Sequence, residues 1–285
     1  MTDAATARPI TIPCPDGPIL PGRLFLPPVG EPEMALLVNG ATGVPRDYYA
    51  RFARWAATER RAAVLIYDYR DCGEAARGPV RQSTASMGDW GVQDQGAALE
   101  WLCGTYPDLP VEVVGHSLGG MFLNFHDKAN RVRRLTAVAS GPAHWRRHPA
   151  GFTPQVLMFW FLAGPLVTRA MGYMPGKMLG LGADLPPEVY WQWRRWCTSR
   201  RFFKVDWGRH LPEPDLTRMT GEVRLVGIAD DPMIPPPVVR DLAEFYPRAR
   251  VEHRVITPAE VGVKAIGHLR VFSDRCRAAW PLLLA

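Results

Sequence analysis

Gly115-His116-Ser117-Leu118-Gly119 places a serine between two glycines, directly after the β-branched run 111–114. A serine hydroxyl is a poor nucleophile until a histidine takes its proton and a carboxylate fixes that histidine's tautomer. A buried strand, a sharp turn and a helix would lift Ser117 out of a sheet. The flanking glycines would let neighbouring chain pass without a Cβ clash. The same turn aims free N–H groups of the following helix at the atom under attack. An ordinary glycine-rich turn is the alternative. No Lys-Ser or Lys-Thr closes the motif, which excludes a phosphate-binding P-loop.

The elements that must position such a serine follow from periodicity. Ile10 and Ile19 open two short strands broken by Pro and Gly, expected to pair antiparallel after a loose tail over 1–8. The continuous apolar runs 34–39 and 62–69 read as strands buried on both faces. Tyr48, Tyr49, Phe52, Trp55 and Ala56 share one helical face over 46–60. A helix is expected over 90–106, capped by Asp89, and another over 118–128 after the serine. Strands at 135–140, 222–229 and 251–256 follow, with helices at 237–246 and 269–280. Between them, 142–218 contains no clear strand but six of the ten tryptophans. Alternating strands and helices imply an α/β fold: a mostly parallel sheet with helices on both faces and its active site at the carboxyl ends of the strands.

In that architecture the acid comes after the serine and the histidine comes last. Asp230-Asp231 follows the strand at 222–229, and His268 lies in the loop before the last helix. Pro235, four residues after Asp231, favours Asp231 as the acid; counting from Gly227 favours Asp230. An oxyanion needs two donors, for which the N–H groups of Leu118 and Ala41 are the choices by position.

These residues resemble the α/β-hydrolase superfamily from about residue 19 onward. GHSLG, LLVNGATG in place of the more usual His-Gly loop, DDPMIP and AIGHLRVF carry the resemblance. More narrowly, the chain resembles a branch of bacterial predicted hydrolases that share the GATGV opening, the phrase GYMPGKMLGLGADLPPEVYWQWRRW and the IGH ending. The resemblance implies a serine hydrolase acting on esters, thioesters or amides. The family loop Asp-x-Arg-Gly-x-Gly-x-Ser departs here, with Asp71 and Ala75 replacing Gly and Ser.

The expected domains are a core of residues 1–141 and 219–285 and a helical cap, or lid, at 142–218. His116, Trp145, Trp160 and Trp191 are candidate pocket residues, with Phe159, Phe161, Met171 and Met174 adding apolar surface. The partner is a small-molecule acyl substrate, and no cofactor or metal is called for. His144 and His148 lie four apart but lack a carboxylate partner. The net charge of +6 comes from scattered arginines, not a continuous basic face, which argues against nucleic acid. Five unpaired cysteines, no signal-like start and no apolar run near 20 residues point to a cytoplasmic chain without an integral membrane segment. Oligomeric state is not readable. The first expectation is an esterase, lipase or thioesterase for an apolar acyl group. Acyl transfer, or amide or C–C cleavage, by the same nucleophile is a second, and a non-catalytic ligand-binding protein on the same fold a third.

Overall fold

A computed structural model describes residues 5–180 and 182–285. Eight strands form one sheet: β1 (Thr6–Pro13), β2 (Ile19–Leu26), β3 (Met34–Asn39), β4 (Ala62–Tyr67), β5 (Val111–His116), β6 (Val132–Val138), β7 (Glu222–Ile228) and β8 (Arg250–Ile256). Their order is β1-β2-β4-β3-β5-β6-β7-β8. β1, β2 and β4 pair antiparallel, and the remaining pairs are parallel.

The interior strands are apolar because both faces are covered. Every residue of β4 and β5 is buried. Leu37, Leu65 and Val113 point into one core, while Leu36, Val38, Val64 and Val114 point into the other, as the two-residue period of a strand requires. Helix α1 (Ala50–Glu59) packs Phe52, Ala53, Ala56 and Ala57 against the second core. Helix α2 (Gln95–Thr105) contributes Leu99 and Leu102 to the first.

β3 lies between β4 and β5, so the chain leaves it towards one side and returns on the other. A crevice opens at such a switch point, beyond the carboxyl ends of the strands. Asn39 and Gly115 are register partners there, which brings the loop after β3 beside the turn after β5.

Residues 142–218 leave the sheet after β6 and return at β7. They contain α3 (Thr153–Leu157), a π-helical turn at Met158–Leu162, α4 (Ala163–Met171) and α5 (Pro187–Thr198). Among its described residues the strand-like pairings are two isolated bridges, Met174 with Leu185 and Trp207 with Leu211. After β7 come α6 (Pro236–Asp241), α7 (Pro258–Val261) and α8 (Trp280–Leu284). No helix among the described residues is long and apolar enough to cross a membrane.

Several expected elements differ. β1 begins at Thr6, so the loose tail expected over 1–8 does not hold from there on, and its first four positions lie outside the described residues. Asp89 is not the helix cap. Ser86 Oγ accepts from Asp89 N–H while Asp89 Oδ2 accepts from Ser86 N–H, a reciprocal capping box that puts the cap three residues earlier. A π-helical turn at Asp89–Asp94 then precedes α2.

The continuous helix expected over 118–128 is three short 3₁₀ turns: Ser117–Gly120, Leu123–Phe125 and Asp127–Arg131. Gly119-Gly120 is a weak helix former. The next side chains are buried in different directions. Asn124 Nδ2 donates to Phe245 O at 2.6 Å, and His126 Nε2 to Gly91 O at 2.9 Å. One helical face could not satisfy both.

The last expected helix is likewise 3₁₀ turns at Arg270–Phe272 and Asp274–Ala279, with α8 beyond. Ser273 is extended, and its hydroxyl bonds back to Arg270 O.

Candidate active site

Ser117 sits at the tip of the turn after β5 with φ +54°, a left-handed conformation that a side chain adopts at a cost. The turn is tight enough that a Cβ on Gly115 would strike the Gly119 carbonyl. A Cβ on Gly119 would strike that of Asn39. Both glycines are therefore required by close approach of backbone.

His268 lies 3.0 Å from Ser117, Nε2 to Oγ, and its Nδ1 lies 2.8 Å from Asp231 Oδ2. A carboxylate only accepts, so Nδ1 carries the proton and Nε2 faces the hydroxyl as an acceptor. The second oxygen of Asp231 accepts from the N–H groups of Met233 and Ile234, at 2.8 and 3.1 Å. Asp231 is buried and fixed by its own loop.

The alternative acid, Asp230, points elsewhere. Its carboxylate accepts from Ile266 N–H and Gly267 N–H at 2.9 and 3.1 Å. Asp230 thereby ties the loop that carries His268 to the loop that carries Asp231. The two adjacent aspartates divide the work: one meets the imidazole, and the other holds the backbone just before it.

Ala41 is a correction. Its N–H donates to Tyr49 Oη at 2.8 Å, and its side chain is buried away from the cavity. The Tyr49 hydroxyl is 2.8 Å from His116 Nδ1, and His116 Nε2 is 2.9 Å from the His268 carbonyl oxygen. Because that carbonyl accepts, His116 Nε2 bears the proton. Tyr49 O–H then donates to Nδ1, and its oxygen is left to accept from Ala41. One relay thus joins the loop after β3, the serine turn and the histidine loop. The N–H groups of Thr42 and Gly43, next along the loop, make no hydrogen bond among the described residues, and of the two residues only Thr42 reaches the cavity. Thr42 lines the cavity together with Ser117 and Leu118. Leu118 N–H lies in the first turn of the 3₁₀ helix, where no intrahelical acceptor exists.

His116 is also a correction: it is fully buried in that relay and does not line the cavity. Burial pushes its pKa down to about 3, with His268 adding to the effect, so it stays neutral. Tyr49 is the residue the sequence did not reveal. Its face was legible, but its acceptor and donor come from loops far apart in the chain.

Asn39, at the position where the family more usually has histidine, braces the same loop. It accepts from Tyr67 Oη at 2.8 Å, and Tyr69 Oη donates to Gly40 O at 2.9 Å. Asp71, where glycine is usual, keeps the left-handed backbone with φ +57° and accepts from Ser83 Oγ at 2.6 Å.

A cavity of about 440 Å³ opens over Ser117 and His268, within the usual range of about 300–1,000 Å³ for small-molecule sites. Most of its wall is apolar and comes from 142–218, including Val156, Phe159, Trp160, Trp193, Trp196 and Phe202. Of the expected tryptophans, Trp160 is there. Trp145 packs edge-on against Phe161, and Trp191 lies under the Arg169 guanidinium; neither lines the cavity. Trp193, Trp196 and Cys197 share a face of α5 by their three- and four-residue spacing, while Trp191 turns away from it. That signal was present in the sequence. Phe161 is exposed and Met174 is buried, and neither they nor Met171 line the cavity.

A family model described as the alpha/beta hydrolase family matches residues 35–278. The chain belongs to this family. Among solved structures, this alpha/beta hydrolase is similar to the Pyrococcus furiosus esterase Pf2001, with a TM-score of 0.61 and 14% identity over 98% of this chain and 89% of that one. It is also similar to the esterase domain of a Rhodothermus marinus protein, with a TM-score of 0.56 and 17% identity over 98% and 96%. A thermophilic esterase from Thermogutta terrifontis gives a TM-score of 0.54 and 16% identity over 96% of each chain. At such identities the likeness concerns the fold. No curated protein matches the sequence.

Proposed function

We propose that this alpha/beta hydrolase is a serine hydrolase that cleaves an ester or thioester with an apolar acyl group. The observation that carries the proposal is the line Asp231–His268–Ser117, joined at 2.8 and 3.0 Å beneath an apolar cavity. Ser117 Oγ attacks the carbonyl carbon while His268 Nε2 takes its proton. The oxyanion is held by Leu118 N–H and by Thr42 N–H; each such donor is worth about 10²–10³ in rate. His268 then gives the proton to the departing alcohol or thiol, leaving an acyl-enzyme. A water attacks that ester, His268 takes the water's proton, and Ser117 leaves with it as the free acid forms. Asp231 holds the Nδ1–H tautomer and stabilises the imidazolium.

Residues 142–218 act as a cap over a core of residues 1–141 and 219–285, and their aromatic wall selects the acyl group. The esterases among the structural neighbours are in keeping with ester substrates. The test is covalent labelling with a fluorophosphonate. The wild type is expected to label and to hydrolyse a panel of acyl esters and thioesters, while Ser117→Ala does neither and keeps its fold. Unchanged ester hydrolysis by Ser117→Ala would sink the proposal.

A further inference from the structure

The helical run through α3, the π turn and α4 is apolar on two opposite faces. Val156, Trp160, Gly164 and Thr168 face inward and are buried. Leu157, Met158, Phe161, Leu162 and Leu166 face outward and are between 40% and 59% exposed. Met178 and Leu179 are also exposed, at 77% and 52%. These seven are most of the eleven large apolar side chains that are exposed among the described residues, so the exposure is concentrated on one side. A helix that is apolar all round is normally enclosed, and a contiguous exposed apolar patch marks an interaction surface. Met158 and Leu179 also line the cavity over Ser117, so the patch runs into the mouth of that cavity.

The charges around the patch say what covers it. The sequence has no aspartate or glutamate between Asp127 and Asp184. Arg194 lies over the Phe161 ring, Arg146 over Trp145 beside it, and Arg169 over Trp191. Among the described residues none of these three has a carboxylate at ion-pair distance. Lys177, beside Met178, has only Asp184, at 3.9 Å. An apolar face rimmed by cations and tryptophans, on a helix that is not long and apolar enough to span a bilayer, has the design of a surface that lies in a lipid interface.

We infer that the outer face of the Thr153–Met171 helical run, with Met178 and Leu179, docks on the surface of a bilayer carrying anionic headgroups. Docking sinks the apolar side chains into the acyl boundary and sets the cationic rim at headgroup level. It also places the cavity mouth against lipid, so an apolar acyl chain enters without crossing water. The docking surface stands whether or not Ser117 cleaves esters.

The test is sedimentation of the whole protein with phosphatidylcholine vesicles, with and without phosphatidylglycerol. Binding to the anionic vesicles is expected to be on the order of a hundredfold tighter at low salt, since each Lys or Arg near such a surface contributes about fivefold. The double variant Leu162→Glu/Leu166→Glu, which alters no cavity-lining residue, is expected to lose binding by about tenfold or more. Its hydrolysis of a short water-soluble ester stays that of wild type. Lys177→Gln should weaken binding about fivefold. Ser117→Ala should bind vesicles like wild type, which separates this surface from the catalytic proposal. Absence of binding by the wild type, or equal binding by the double Glu variant, would overturn the inference. So would a dimer in sedimentation velocity that the double variant dissociates while neither form binds vesicles; the face would then join two copies of the chain.

Discussion

The loops at the sheet edge and the segment above them are held by different forces. At the sheet edge, directional hydrogen bonds fix each position. Asp231 accepts three, Asp230 accepts two from the histidine loop, and the Tyr49–His116 relay joins the remaining loops. Residues 142–218 are held chiefly by aromatic packing, as in the Phe159, Trp160, Tyr190 and Trp193 cluster. One polar node interrupts it. Asp206 Oδ2 accepts from Gln192, Arg195 and Trp196 at 2.7–3.0 Å. Proton transfer needs angles and distances that hydrogen bonds impose, whereas a pocket for an apolar chain needs only shape and dryness. Packing also tolerates substitution better than a polar network does.

The largest test of this contrast is at the paired aspartates. Asp231→Asn is expected to lower kcat on a soluble ester by about 10⁴-fold, because an amide does not hold the required tautomer. Asp230→Asn should lower it by about tenfold, the effect of weakening backbone hydrogen bonds to a charge. Equal losses in the two variants would undo the division of roles.

Next is the polar node above the sheet. Asp206→Ala leaves three donors without their acceptor and should lower the unfolding free energy in urea by about 2–3 kcal/mol. A loss smaller than about 0.5 kcal/mol would mean that packing alone holds this segment.

Trp193→Ala addresses shape. It should leave the reaction with short acyl esters nearly unchanged and raise the ratio of long-chain to short-chain kcat/KM by about tenfold. A uniform fall in kcat across the panel would show that this wall also positions the reacting groups.

The last test has no effect at neutral pH and concerns His126, buried behind the serine turn, whose pKa burial lowers to about 4. Above the unfolded value of about 6.5 it costs nothing. As pH falls from there towards 4, the unfolded chain takes up a proton that the native state refuses, and stability drops by up to about 1.4 kcal/mol per pH unit. His126→Gln should therefore show a shallower decline of denaturation midpoint between pH 6.5 and 4 than wild type. Parallel curves would remove His126 as the cause.

Much of the site was legible because its chemistry is local in sequence. A serine between two glycines after a buried strand specifies a strained turn, and a histidine after the last strand has few other places to go. The strands were equally legible, since a parallel sheet covered on both faces demands uninterrupted apolar runs. The 3₁₀ turns after Ser117 were not. Gly119-Gly120 weakens a helix there without excluding one, and the distant carbonyls of Gly91 and Phe245, which capture His126 and Asn124, break it.

What the sequence by itself determined is the strained serine turn, the histidine that follows the last strand, the strand order along the chain and the presence of an aromatic segment between β6 and β7. These rest on backbone conformation and periodicity, which neighbouring residues set. The tertiary structure alone decided which aspartate meets the imidazole, and that the Tyr49 hydroxyl joins the Ala41 N–H to His116. Each of those is a contest for a partner between elements far apart in the chain, and a hydrogen bond is assigned only when both sides have arrived.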